Sequence, residues 1–134
     1  MRHDDIPNTV RNAPPADRAS RGRWAEAQAR SLMEKNGLRL VEKNYRCKMG
    51  ELDLVMEDRG ILVVAEVRYR KRDDFGTAAE SVDGRKQRKV IRTTEHFLRS
   101  RPSLGQLPVR FDVVAISGTG RESELEWIKD AFQA

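Results

Sequence analysis

Residues 51–69 constrain this chain more than any other stretch. Two runs rich in Val, Ile and Leu, Glu51 to Glu57 and Ile61 to Tyr69, flank Asp58-Arg59-Gly60. Short apolar runs separated by a glycine turn read as a β-hairpin, and Gly60 supplies the positive φ that a tight turn needs. If Arg59 and Gly60 are the turn residues, Asp53 stands opposite Glu66, and Glu51 opposite Arg68. Residues two apart on a strand share a face. One face then reads Leu52, Leu54 and Met56 against Ile61, Val63, Ala65 and Val67. It is wholly apolar and is expected to be core. The other face is apolar near the turn and carries Glu51, Asp53, Glu66 and Arg68 away from it.

Asp53 and Glu66 would thus lie side by side, with Cβ atoms about 5 Å apart. Like charges so placed repel, and burying them unpaired is costly. Two arrangements offset this. A divalent cation can be held by both carboxylates, as Mg²⁺ commonly is together with waters and phosphate oxygens. Alternatively, Arg68 and other basic residues neutralise the acids. The pattern alone leaves both open. A register slip of one residue would dissolve the pair. Glu26 lies on or beside the apolar face of a predicted helix, either solvated at its flank or turned inward toward the pair.

The remaining segments supply an α/β framework. Residues 1–19 hold Pro7, Pro14 and Pro15 and almost nothing apolar, and are expected to be a disordered tail ahead of a single domain spanning 20–134. A first helix starts near Ser20 as N-cap and ends at Gly37, with Trp24, Ala27, Ser31 and Leu32 roughly at helical spacing. A strand covers 38–46, followed by the hairpin. Residues 70–82 read as an exposed, mobile loop. A second helix spans 83–99 and buries Val90, Ile91, Thr94, Phe97 and Leu98. Residues 109–116 form a strand. Leu125 to Ile128 reads as a last short strand, followed by a turn of helix ending at Phe132. The element order is α-β-β-β-α-β-β, a mixed sheet flanked by helices.

Charge points toward a polyanionic partner. The chain of 134 residues carries a net charge of +5. Nine Lys and Arg between Arg68 and Arg92 face four acids there, so this segment alone accounts for the excess. The opposite reading is a solvated surface. No stretch approaches the roughly 20 apolar residues of a membrane span, and the start of the chain lacks a secretory apolar run, so a cytoplasmic location is expected. Cys47 is the only cysteine. It can form neither an internal disulfide nor a cysteine zinc site. Tyr45 and Tyr69 read as packing residues.

Several ordered motifs match a known family. Gly22-Arg23-Trp24-Ala25-Glu26, Asn44-Tyr45-Arg46, Gly50-Glu51-Leu52-Asp53-Leu54-Val55 and Ala65-Glu66-Val67-Arg68-Tyr69-Arg70 resemble the YraN-like bacterial proteins. Phe75-Gly76 through Ser81, Lys86-Gln87 and Arg110-Phe111-Asp112-Val113-Val114 fit as well, so the likeness covers about residues 20–132. That family is similar to archaeal Holliday junction resolvases and other PD-(D/E)XK nucleases. The resemblance implies a restriction-endonuclease-like fold and a metal-dependent endonuclease acting on branched DNA. It also implies Mg²⁺ or Mn²⁺ held by Asp53 and Glu66 with Glu26 as a direct or outer ligand, and a possible homodimer.

Carried over by position, Glu26 matches the helix acid, Asp53 the strand acid and Glu66 the acid of Glu-x-Lys. Arg68 stands where those nucleases have Lys, so the catalytic set reads Glu26, Asp53, Glu66 and Arg68. Arg stays protonated and cannot act as a base, though it can hold a phosphate oxygen. Glu51 would assist from the adjacent position or pair with Arg68. Arg68, Arg70, Lys71, Arg72, Arg85, Lys86, Gln87, Arg88 and Lys89 are the expected nucleic-acid contacts, with Lys86 and Gln87 placed to reach phosphate or the attacking water. A non-catalytic nucleic-acid-binding protein keeping the same fold is the competing reading. A protein-interaction scaffold with merely charge-paired acids is the third.

Overall fold

The computed structural model describes residues 9–10, 14–70, 76–119 and 122–134. Its elements are β1 (Thr9–Val10), α1 (Arg18–Lys35), β2 (Arg39–Cys47), β3 (Gly50–Asp58), β4 (Ile61–Arg70), α2 (Gly84–Ser100), β5 (Val109–Thr119) and β6 (Glu122–Phe132). The sheet runs β1-β6-β5-β4-β3-β2. Among the described residues only β4 and β5 are parallel, with α2 as the crossover between them. Parallel neighbours need such a crossover, whereas the β3–β4 hairpin closes through Arg59 and Gly60 at φ 50° and 86°. A mixed sheet with a helix on each face is consistent with the restriction-endonuclease-like fold.

Each helix buries one face of the sheet. Ala25, Ala29, Leu32 and Met33 of α1 pack on Leu54, Met56, Val63, Ala65, Val114 and Ile116. Val90 and Phe97 of α2 pack on Leu52, Val55, Leu62, Val64, Phe111 and Val113. Fully burying such side chains stabilises by about 1.5–3 kcal/mol each. The helix ends follow from local chemistry. Asp17 accepts the Ser20 N–H at 3.0 Å and caps α1, so the helix begins before Ser20. Gly37 at φ 91° closes it: its N–H bonds to Glu34 O and that of Leu38 to Met33 O, at 3.0 and 3.1 Å. The buried stripe of α1 runs through Ala25, Ala29, Leu32 and Met33, with Trp24 packed at its edge and Ala27 exposed; the small alanines let the helix approach the sheet.

Three other segments differ from expectation. Of residues 1–19, Thr9–Val10 pair with Glu124 and Ser123 at the sheet edge. Residues 122–132 are strand throughout instead of a short strand and a helical turn. A register shift opposite Phe111 and Val113, with Asp130 at φ 54°, imitates a break in a strand pattern. Residues 76–82 are anchored through two side chains, while Gly76, Thr77 and Glu80 are exposed as expected; residues 71–75 of that loop lie outside the described residues. Ala78 and Val82 are buried, and Thr77 and Glu80 cap one another across a short 3₁₀ turn. Arg110 and Asp112, the two charges inside β5, also find a structural reason. The buried Asp112 carboxylate accepts two hydrogen bonds from the Arg110 guanidinium, one from Trp127 Nε1 and one from Asp130 N–H.

Candidate functional site

The hairpin register is the expected one from Asp58↔Ile61 to Leu54↔Ala65, and there the pairing of β3 with β4 stops. Beyond that point β3 stays paired to β2 as far as Gly50, and β4 to β5 as far as Arg70. The sheet therefore forks, and Asp53 and Glu66 are the first residues past the split. Asn44, at φ 54°, falls within β2 between Lys43, which pairs with Leu54, and Tyr45, which pairs with Leu52. A left-handed residue rotates the chain, so the faces exchange: Leu52 joins Tyr45 and Phe97 on the α2 side while Leu54 stays on the α1 side. The wholly apolar face expected from simple alternation thus loses Leu52.

The irregularity turns Asp53 toward β4, where its Oδ2 accepts the Val67 N–H at 2.9 Å. Glu66 is 1 % exposed. Its Oε1 lies 3.5 Å from Lys86 Nζ on the first turn of α2. Its Oε2 is buried and accepts no hydrogen bond. Burial, then the charge of Asp53, pushes the Glu66 carboxyl up to about 8, against the opposing pull of Lys86. Burial also raises Asp53, opposed by the Val67 N–H and Lys86. Such an acid pair suits a hard divalent cation. The donors are oxygens, one of them lacks a partner, and two carboxylates with water complete the usual Mg²⁺ set.

Glu26 approaches from the α1 side. Burial, then Asp53 and Glu51, raises its carboxyl to about 7, while a hydrogen bond from Asn44 works the other way. Among the described residues no three acids, histidines or cysteines gather closely enough to hold one ion. Glu26 thus does not join Asp53 and Glu66 in a three-residue cluster. Glu51 pairs with Arg46 at 3.2 Å rather than with Arg68, because β2 and β3 remain in register here while β3 and β4 have parted.

The basic residues divide. Arg68, Arg85, Lys86, Lys89 and Arg92 line an open cleft of about 560 Å³. Lys86 and Lys89 also line an adjoining cleft of about 420 Å³ with Arg46 and Glu51. Arg88 is exposed on the same helix. Gln87 instead donates its side-chain amide to Val82 O at 3.0 Å and pins the docked segment. Arg70 donates to Gly76 O. Lys71 and Arg72 lie outside the described residues. Tyr45 and Tyr69 are packing residues, edge-on to Phe97 and bonded to Gly118 O respectively. Sequence reasoning assigned no role to Asn44 or Arg46. A non-glycine residue at positive φ leaves no pattern except the tolerance of Asn for it.

No helix among the described residues is long and apolar enough to cross a membrane. Residues 25–116 match the uncharacterised protein family UPF0102. The chain is 52 % identical over 120 residues to a UPF0102 protein of Xanthomonas oryzae pv. oryzae, covering 90 % of this chain and 97 % of the relative. Identity to a UPF0102 protein of Stutzerimonas stutzeri is 48 % over 115 residues, covering 86 % and 96 %. For a Pseudomonas putida relative it is 45 % over 121 residues, covering 90 % and 98 %. With matches running nearly end to end, the chain belongs to the UPF0102, or YraN-like, family.

Proposed function

We propose that this protein is a metal-dependent endonuclease that hydrolyses phosphodiesters in structured or branched DNA. The observation that carries the reading is Glu66, a buried carboxyl group with one oxygen unpartnered, near Asp53 and 3.5 Å from Lys86, which lines a cleft walled by cations. A buried, half-satisfied acid pair destabilises a fold unless something binds it. Asp53 and Glu66 would hold Mg²⁺ or Mn²⁺, which supplies a water of lowered pKa and offsets charge on the phosphate. Asp53 is oriented for this by the Val67 N–H, and Glu66 by its burial. Arg68 presents up to two donors to a phosphate oxygen. Arg85, Lys89 and Arg92 position the backbone without reading sequence, which suits recognition by shape. Two copies of the chain would match the two-fold character of a four-way junction.

Arg68 in place of Lys favours a second reading, a DNA-binding protein without turnover. A four-way junction assay with Mn²⁺ separates the two. Wild type is expected to nick the junction and Glu66→Ala to lose at least about a hundredfold in rate. Equal product from both proteins rules this site out as the catalytic centre. Salt-sensitive binding with no product from either supports the second reading.

A further inference from the structure

The primary amine missing from the Glu-x-Lys position has a counterpart in space. Lys86 Nζ stands 3.5 Å from Glu66 Oε1, although the two residues lie on different elements. Its side chain is 39 % exposed and lines both basic clefts, so the ammonium can leave the acid and still lie in the groove. Arg68 lines only the larger of the two. Lys86 thus touches the acid pair and also lines both basic clefts. A divalent ion on the free Oε2 repels the ammonium at Oε1 and weakens its hold on Glu66.

We infer that Lys86 is the resident cation of the metal-free acid pair, displaced from beside Glu66 when a divalent cation takes the two carboxyl groups and thereby released to hold the substrate phosphate. The inference rests on the function proposed above and adds a coupling to it. Metal and nucleic acid bind cooperatively through one side chain, because the metal frees a donor that the phosphate then uses. The coupling is reciprocal: phosphate that captures Lys86 leaves Glu66 open to the metal. Lys89, which lines the same clefts, has no ion pair with the acids and serves phosphate in either state.

The test measures binding to a labelled four-way junction in chelator and in Ca²⁺, used as a divalent probe, for wild type, Lys86→Met and Lys89→Met. Lys86→Met is expected to lose less than about twofold in chelator and about threefold to tenfold in Ca²⁺, with the salt slope reduced by about 0.9 in Ca²⁺ and by less in chelator. Lys89→Met is expected to lose affinity and slope in both buffers. Equal loss for Lys86→Met in both buffers overturns the inference and makes Lys86 an ordinary groove cation. Failure of the underlying function looks different. Ca²⁺ then leaves both junction affinity and melting temperature of wild type unchanged, and Glu66→Ala alters neither response. Melting curves for each variant confirm that the half-exposed positions leave the fold intact.

Discussion

Glu66 is the residue where folding and chemistry oppose each other. An apolar side chain in that place would be buried without penalty, yet the chain buries a carboxyl group there to 1 % exposure. Its ionisation rises from 4.5 to about 8, first through burial and then through Asp53. Between those values the folded state holds a proton that the unfolded chain has lost. Folding stability therefore falls as pH rises through that window. Glu26, raised to about 7, adds to the same trend at its lower end. In metal-free buffer, Glu66→Gln is expected to flatten the fall of melting temperature from pH 5 to pH 8. At pH 8 it should be more stable than wild type by about 1 kcal/mol. Added Mg²⁺ should reverse the order, stabilising wild type and leaving the glutamine variant unmoved. Parallel melting profiles would show that Glu66 is ionised throughout.

At the scale of elements, the fork between β3 and β4 was half legible in the sequence. The turn residues and the period-two alternation fix the register near Gly60, and that register is present as far as Leu54↔Ala65. Alternation presumes a regular strand, so the pattern could show neither the end of the pairing nor the transfer of Leu52 to the α2 face. Both accompany a left-handed Asn44 on a different strand. Helix α2 was read nearly to its bounds because its N-cap, Asp83, and apolar stripe are local signals. The Lys86–Glu66 pair was not foreseen as a contact, since no rule of spacing relates a helix residue to a strand 20 positions earlier. Gly50 sets how closely α2 approaches. A Cβ there would meet Thr93 Oγ1 at 2.9 Å and Lys89 Cε at 3.1 Å. Gly50→Ala is expected to push α2 from β3 and cost about 1–3 kcal/mol in chemical denaturation. It should also strengthen the metal response, because Lys86 rides on the displaced helix and then competes less for Glu66. An unchanged denaturation midpoint would mean that the two elements are not in firm contact.

Across the whole molecule, the two helices cover opposite faces of the sheet, and the fork is the place reached from both. Glu26 arrives from the α1 side and Lys86 from the α2 side. The net charge of +5 is not spread evenly around this plan. Arg68, Arg85, Lys86, Lys89 and Arg92 line one cleft, so a polyanion entering it meets Lys86, the cation beside Glu66. Contacts of this kind act through counterion release, and each phosphate neutralised on a duplex contributes about −0.9 to the slope of log affinity against log salt. Arg85 and Arg92 are exposed on α2 and have no ion pair to Glu66. Replacing both with Ala is expected to reduce the slope by nearly two units on a junction and on a plain duplex alike. The preference for the junction over the duplex should survive, because these residues grip backbone and carry no shape or sequence information. A slope unchanged by the double variant would place the nucleic acid on another surface. A lost preference would instead assign these arginines to recognition of the branch point.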